Sequence, residues 1–366
     1  MTGTSLDGLD VALGKIDGHG LDIEAKFVGL VSRPLGRLRQ ALHSMTAGQP
    51  AKPIDFLRAA RHLGDLHAQA IAELCEQCLP RGVKLDFVVA HGQTICHTPD
   101  EHLSWQLFDP WPIVRQHATA VLYDLRQGDL AAGGQGAPIT PLADWVLYRH
   151  QSENRYVVNL GGIMNGTELP AGCIAHDIRG RDVGPCNLLI DGVVQKLFPG
   201  RPYDVDGRIA AGGQVDSSVC QCLNVMGLGS NRPTTDSLGR EDFSDAFIDT
   251  FLRKLPATIS PGDVVASVVN SVAAQVAKYV GDGRESTTVV LAGGGANNPH
   301  LVASIKARAN PWHRYVCSDE LAIPCAAREP LAFAVLGALT QDGLPITLPQ
   351  VTGAKEPQKC GAWAYP

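Results

Sequence analysis

The chain has 366 residues, enough for two domains, and 45% of them are hydrophobic, so a sizeable core can form. Its net charge of -6 comes without a basic stripe, which argues against nucleic acid as a partner; an anionic ligand would have to be met by local backbone donors. No apolar run approaches the roughly 20 residues of a membrane span, and Met1 to Gly8 lacks the basic and apolar regions of a secretory signal, so no membrane association and a cytoplasmic location are expected.

The first chemical feature is the turn Gly3-Thr4-Ser5-Leu6-Asp7-Gly8-Leu9-Asp10, leading into Val11-Ala12-Leu13. Small residues let the backbone approach a phosphate, and Thr4 and Ser5 add hydroxyl donors. Asp7 and Asp10 would repel a phosphate unless a carboxylate there holds Mg²⁺, usually through water; Asp7 is the candidate. An ordinary hairpin turn would read the same way.

Leu63, Leu66, Ala70 and Leu74 repeat at helical spacing. That helical pattern contains Cys75 and Cys78. The C-x-C of Cys220 and Cys222 lies too far along the chain to make a recognisable zinc spacing with them, so the ten cysteines read as reduced thiols. A short apolar run at Val88 to Ala90 reads as a strand ending at His91-Gly92-Gln93-Thr94. Asp124-Leu125-Arg126, Asp129 and the stretch Ala131 to Pro138 follow. Both polar segments offer the side chains and close backbone that a sugar needs, although solvated loops would carry similar residues.

Tyr156 to Leu160 reads as a buried strand that stops at Gly161-Gly162, within Asn159-Leu160-Gly161-Gly162-Ile163-Met164-Asn165. Asp182-Val183-Gly184-Pro185-Cys186-Asn187 precedes a helical pattern of Leu188, Leu189, Val193 and Leu197, closed by Pro199-Gly200. Asp182 is either a rigidly held catalytic carboxylate or a helix N-cap. Val265, Val268, Val269, Val272 and Val276 form another helix ahead of Gly281. Thr288 to Ala292 is a strand running into Gly293-Gly294-Gly295-Ala296-Asn297, with a helix starting near Pro299. Three glycines allow a planar base to lie flat on the backbone. Strand, glycine loop and helix in repetition mean an α/β fold. The expected division is a first lobe over 1–127, to which a tail over about 343–366 returns, and a second lobe over 128–342.

The order of these segments resembles the actin, sugar-kinase and Hsp70 superfamily, and more closely the anhydro-N-acetylmuramic acid kinase family over nearly the whole chain. The residues that carry the resemblance are Gly3 to Asp10, His91 to Thr94, Asp124 to Pro138, Asn159 to Asn165, Asp182 to Asn187, Gly239 to Glu241, Gly293 to Asn297, Glu329 to Ala334 and Val351 to Ala354. The resemblance implies a two-lobed, actin-like (ribonuclease H-like) α/β fold with mixed sheets flanked by helices. It implies an enzyme that uses ATP and Mg²⁺ to open the 1,6-anhydro ring of 1,6-anhydro-N-acetylmuramic acid and phosphorylate O6, in peptidoglycan recycling. Asp182 is implied as the base that activates water. Gly3, Thr4, Ser5, Leu6, Asp7, Gly8, Leu9 and Asp10 are implied as a first phosphate loop. Asn159, Gly161 and Gly162 are implied as a second, and Gly293, Gly294, Gly295 and Asn297 as an adenosine loop. His91, Gln93, Thr94, Arg126, Asp129 and Glu329 are implied around the sugar. A homodimer whose lobes close over the substrates is implied as well. The competing readings are a kinase for another sugar and a nucleotide-binding member without catalysis.

Four departures from the family pattern stand out. An apolar strand is expected before the Gly3 turn, where this chain has Met1-Thr2; either the start lies upstream or that strand is absent, leaving the next strand with an unpaired edge. Phe108 and Cys186 stand where glycine is usual, and Asp236 where lysine is common.

Overall fold

A computed structural model describes residues 1–366 apart from 4, 5, 7, 229–237 and 239, so the readings placed on Thr4, Ser5, Asp7 and Asp236 lie outside the described residues. In chain order the first elements are β1 (Leu9–Asp17), β2 (Glu24–Arg33), α1 (Leu38–Thr46), α2 (Pro53–Cys78), β3 (Phe87–Val89), β4 (Gln93–Thr98) and β5 (Leu103–Leu107). Then come α3 (Trp111–His117), β6 (Ala120–Tyr123), α4 (Gln127–Ala131) and α5 (Pro141–Tyr148). The middle of the chain forms β7 (Asn154–Leu160), β8 (Ile163–Leu169), β9 (Arg179–Pro185), α6 (Asn187–Leu197), α7 (Arg208–Gly212), α8 (Ser217–Val225), α9 (Asp245–Lys254), α10 (Pro261–Val280), β10 (Thr287–Ala292), α11 (Pro299–Lys306) and β11 (His313–Cys317). The chain closes with α12 (Arg328–Gln341), α13 (Pro349–Thr352) and β12 (Ala362–Ala364).

These elements form two units. One contains Met1–Arg149, Ile174–Ile178 and Ala326–Pro366; the other contains His150–Cys173 and Arg179–Cys325. The division therefore falls later than residue 127, and the chain returns earlier than residue 343. The reason lies in α12, whose first residue, Arg328, is fully buried and paired with Asp144 of α5. That pair draws both the 128–149 stretch and α12 into the first unit. The segment Ile174–Ile178 joins them, with Gln350 Nε2 donating to the Ala175 carbonyl at 2.9 Å.

In the second unit the sheet runs β11-β10-β7-β8-β9. β8 is antiparallel to β7 and β9, whereas β10 and β11 run parallel to β7 in turn. This is the ribonuclease H-like arrangement expected from the resemblance. α10 is apolar on nearly every side and is buried among α6, α7, α8, α11 and β9. Its start is set by Ser260, whose side chain accepts from Asp263 N at 3.2 Å, and by Pro261 in the first turn; Gly281, at φ 76°, ends it. Valines 264, 265, 268, 269, 272 and 276 fill the core beneath the sheet.

In the first unit β1 and β2 pair antiparallel, β6 lies between β3 and β12, and β4 and β5 form a hairpin. α2 packs on β1 and β2, and α12 on β1, β3 and α5. Among the described residues, β1 pairs along its length with β2. On its other side only its start is met, by Met1 and Thr2, through a Thr2–Leu9 bridge and an Asp10 N to Met1 O bond of 3.0 Å. Phe108 needs no glycine-like freedom, because its ring fills core space against His67 at 5.1 Å and Tyr123 at 6.4 Å. Cys186 is fully buried at φ −126°, a conformation open to any residue. All ten cysteines are free thiols.

The Arg328–Asp144 pair is the least forgiving contact of this core. Arg328 Nε donates to Asp144 Oδ1 at 2.8 Å, Nη2 donates to Thr140 Oγ1 at 3.0 Å, and Nη2 also meets Asp144 Oδ2. Removing one partner strands a buried charge, at about 3–5 kcal/mol. Asp144→Ala should lower stability by about that amount, and the joint change Arg328→Met with Asp144→Leu should recover most of it. Equilibrium denaturation of the two variants checks this.

Candidate active site

The glycine loops of the second unit are knit into one body. The β7–β8 turn supplies carbonyls to the start of α6: Cys186 N donates to Gly162 O at 2.9 Å, Asn187 N to Gly161 O at 3.0 Å and Leu188 N to Gly162 O at 3.1 Å. These bonds satisfy N–H groups that a helix start otherwise leaves open. Asn187 Nδ2 adds a bond to Leu160 O at 3.2 Å. The loop after β10 sits on the same turn. Gly293 has φ 82°, and a Cβ on it would lie 2.4 Å from Asn159 Oδ1; a Cβ on Gly295 would lie 2.8 Å from Leu160 Cβ. Close approach of two backbones thus requires both glycines. Gly294 and Asn297 remain exposed and accessible to a ligand.

Asp182 belongs to β9, five residues before the start of α6, and Cys186 holds the cap position; the N-cap reading of Asp182 does not apply. Pro185 likewise ends β9 rather than opening the helix. Across from β9, Met164 pairs with Gly184 but Asn165 pairs with Asp182, so Val183 is an extra, bulged residue. A bulge switches the face to which the following side chain belongs. Asp182 Oδ2 accepts from Leu238 N at 2.8 Å, which holds the carboxylate in one place. The sequence offered no sign of that contact.

The first unit brings a different set together. Arg126 donates from Nε to His91 Nε2 at 2.9 Å and from Nη1 to Gly136 O at 2.6 Å. His91 Nε2 therefore accepts, and Nδ1–H faces Gly92 O at 3.2 Å. Burial, and then the Arg126 charge, holds the imidazole well below its ordinary pKa, so His91 is neutral. Glu329 lies in the electrostatic reach of Arg328, Arg126 and Asp10. Burial pushes its carboxyl up, Arg328 and Arg126 oppose that, and Asp10 adds to it. Asp10 accepts from Ser32 Oγ at 2.5 Å.

Three residues expected at the sugar are buried, and two of them, Asp129 and His91, have their polar atoms engaged by the scaffold. Asp129 is buried with both oxygens engaged, Oδ2 by Gly136 N and Oδ1 by Thr352 Oγ1, each at 2.8 Å, so it clamps the 131–138 loop to α13. Gln93 is fully buried, with Nε2 on Thr94 O at 3.3 Å. His91 spends both ring nitrogens on Arg126 and Gly92. Leu6 and Leu9, expected in the phosphate loop, are 1% exposed and pack in the core with Leu38, Leu42 and Leu63, so only their backbone could meet a ligand. Thr94, Arg126 and Glu329 are partly exposed.

The family model described as anhydro-N-acetylmuramic acid kinase matches residues 1–366. A protein of that name from Salinibacter ruber (strain DSM 13855 / M31) is 35% identical over 381 residues, covering all of this chain and 95% of the relative. One from Bacillus cereus (strain G9842) is 33% identical over 383 residues, covering all of this chain and 98% of the relative. Among solved structures, component A of (R)-2-hydroxyglutaryl-CoA dehydratase from Acidaminococcus fermentans aligns with a TM-score of 0.42 at 13% identity, over 91% of this chain and 99% of that one.

The raised pKa of Glu329 has a measurable consequence. A carboxyl that ionises less readily in the folded chain than in the unfolded chain costs stability as pH rises from the unfolded-state value of about 4.3 through the folded one. Glu329→Gln should therefore leave stability near pH 4 unchanged and raise it at pH 7–8. Melting temperatures of both proteins across that range check the sign.

Proposed function

The chain belongs to the anhydro-N-acetylmuramic acid kinase family, and from that premise we propose how its own residues carry the reaction. The protein is an ATP-dependent kinase of 1,6-anhydro-N-acetylmuramic acid that acts in cell-wall recycling. In the proposed chemistry Asp182 takes a proton from a water as that water attacks C1. The C1–O6 bond breaks with its electron pair on O6. O6 then attacks the γ-phosphorus, and ADP leaves. The products are N-acetylmuramic acid 6-phosphate, ADP and one proton.

The observation that carries the Asp182 assignment is the bulge at Val183, together with the Leu238 N–H on Oδ2. They set the strand face of Asp182 and hold its carboxylate in place. A base held by protein bonds before substrate arrives needs little reorganisation. The body formed by the β7–β8 turn, the start of α6 and the loop after β10 is proposed to bind ATP, with Gly161 and Gly162 toward the phosphates and Gly293 to Gly295 and Asn297 toward the adenosine. Thr94, Arg126 and Glu329 are proposed to hold the sugar. His91 keeps Arg126 oriented.

Magnesium would neutralise charge on the transferring phosphoryl group. No group of three metal-ligating side chains exists among the described residues. The proposed ion would be held mainly by phosphates and water, with Asp7 contributing through water. No helix among the described residues is long and apolar enough to cross a membrane. A cytoplasmic homodimer completes the proposal.

Asp182→Asn should keep its fold and lose at least about 10²-fold in kcat, the low end for removing a general base. Turnover equal to the parent protein would remove Asp182 from its role. Identification of phosphate on O6 of the ring-opened sugar, rather than on another sugar offered alongside, tests the substrate.

A further inference from the structure

Two glycines let α10 lie close against two strands of the second unit's sheet. A Cβ on Gly166 of β8 would lie 2.2 Å from Tyr279 Cε1, and one on Gly184 of β9 would lie 1.9 Å from Gln275 Oε1. Gln275 and Tyr279 stand four residues apart and so share one stripe of the helix. Tyr279 is matched to its place: its ring meets Tyr156 at 5.5 Å and the Arg181 guanidinium at 5.1 Å. Gln275 is not matched. It is only 7% exposed, and neither its Nε2 nor its Oε1 makes a hydrogen bond among the described residues.

A buried, unpaired amide is costly, and an apolar side chain of similar length would fill the place without that cost. Its neighbour gives the account. Gln275 Cδ, Oε1 and Nε2 all lie within 3.5 Å of the point where a Gly184 Cβ would stand. Gly184 directly follows Val183, the extra residue of the β9 bulge, and comes two residues after Asp182. A bulged residue stands outside the regular ladder, so the backbone there is held less firmly than the rest of the strand. The Val183 side chain packs against the core that contains α10. An amide with its donors and its acceptor unspent therefore faces the stretch of β9 that the ladder holds least.

We propose that Gln275 is a positioning residue for Asp182. Its amide supports the bulge from the helix side, through a small turn of the Val183–Gly184 peptide that brings a backbone N–H or C=O onto it. Gly184 has no side chain, so it leaves room for the amide and lets that peptide turn. The bulge sets the face of Asp182, and a supported bulge keeps the carboxylate in place while it takes the proton. Gln275 acts through the backbone and has no part in the bond changes. This inference rests on the assignment of Asp182 as the base.

The test measures kcat, KM and melting temperature, with ATP and 1,6-anhydro-N-acetylmuramic acid, in the full chain and in Gln275→Met, Gly184→Ala and the double variant. Gln275→Met keeps the length of the side chain and removes the amide. It should lower kcat about 10- to 100-fold, the scale for a small misplacement of a reacting group, with KM nearly kept. Its melting temperature should be equal or higher, since two unpaired polar atoms have gone. Gly184→Ala puts a methyl where Oε1 stands and should lower kcat by a similar factor. The double variant should lose no more than the worse single one, because both changes remove the same support. Parental kcat in a folded Gln275→Met would overturn the proposal; a lower melting temperature alongside it would mark an amide paired by an internal water. Additive losses in the double variant would overturn it as well. If Asp182→Asn keeps turnover, the base assignment fails and this inference with it. If Asp182→Asn is inactive while Gln275→Met turns over like the parent, this inference fails alone.

Discussion

A strand shows its side chains to alternate faces, so one extra residue decides what a sheet presents. The candidate base depends on that rule. In β9 the bulged Val183 changes the face of Asp182 relative to Gly184 and Pro185, and Leu238 N–H then fixes the carboxylate. In β4 the bulged Ile95 puts His97 on the face of Thr94 and buries its own side chain. Both insertions lie within a few residues of a glycine-bearing turn, where a sheet is most easily interrupted. Deleting Val183 would leave the composition of the site unchanged and send its chemistry to the wrong side.

The first unit is held by a second constraint, the buried charge of Arg328. An arginine without solvent must be met on several sides, and Asp144 and Thr140 meet it. This anchors the first turn of α12 against α5. Glu329, the next residue, consequently lies near Arg126 and Asp10, where burial raises its pKa while the arginines restrain that rise. Arg126 is fixed in turn by His91 and the Gly136 carbonyl, and the loop that offers Gly136 is tied by Asp129 to Thr352. The polar residues of this region form a chain of supports in which the buried members carry structure and the partly exposed ones are the candidates for chemistry.

That chain explains what could be read from the sequence. Glycine loops after apolar strands, such as Gly161-Gly162 and Gly293 to Gly295, are local features and stand where the pattern puts them. So do α2, α10 and α11, whose spacing or proline start is visible in a dozen residues. Asp129 and His91 look like sugar ligands because they are polar residues in polar loops; only the partners, one of them 223 residues away for Asp129, show that they are engaged. The unit boundary was misplaced for the same reason, since the Asp144–Arg328 contact spans 184 positions. The register of β4 gave no signal because regular alternation separates Thr94 from His97, and nothing in Thr94-Ile95-Cys96 announces a bulge.

The two units differ in the kind of recognition they offer. In the second, the glycine loops act through backbone: carbonyls of Gly161 and Gly162 cap α6, and Gly293 and Gly295 are small so that main chains can touch. Backbone recognition suits a nucleotide, whose phosphates and flat base ask for close approach more than for particular side chains. In the first unit the partly exposed candidates are side chains, Thr94, Arg126 and Glu329. Side-chain recognition suits a sugar, where identity resides in single substituents. Substitutions in the second unit's loops should therefore be limited by size, and those at the first unit's candidates by hydrogen-bonding pattern. That difference follows from the ligand proposed for each and not from how deeply the residues are buried.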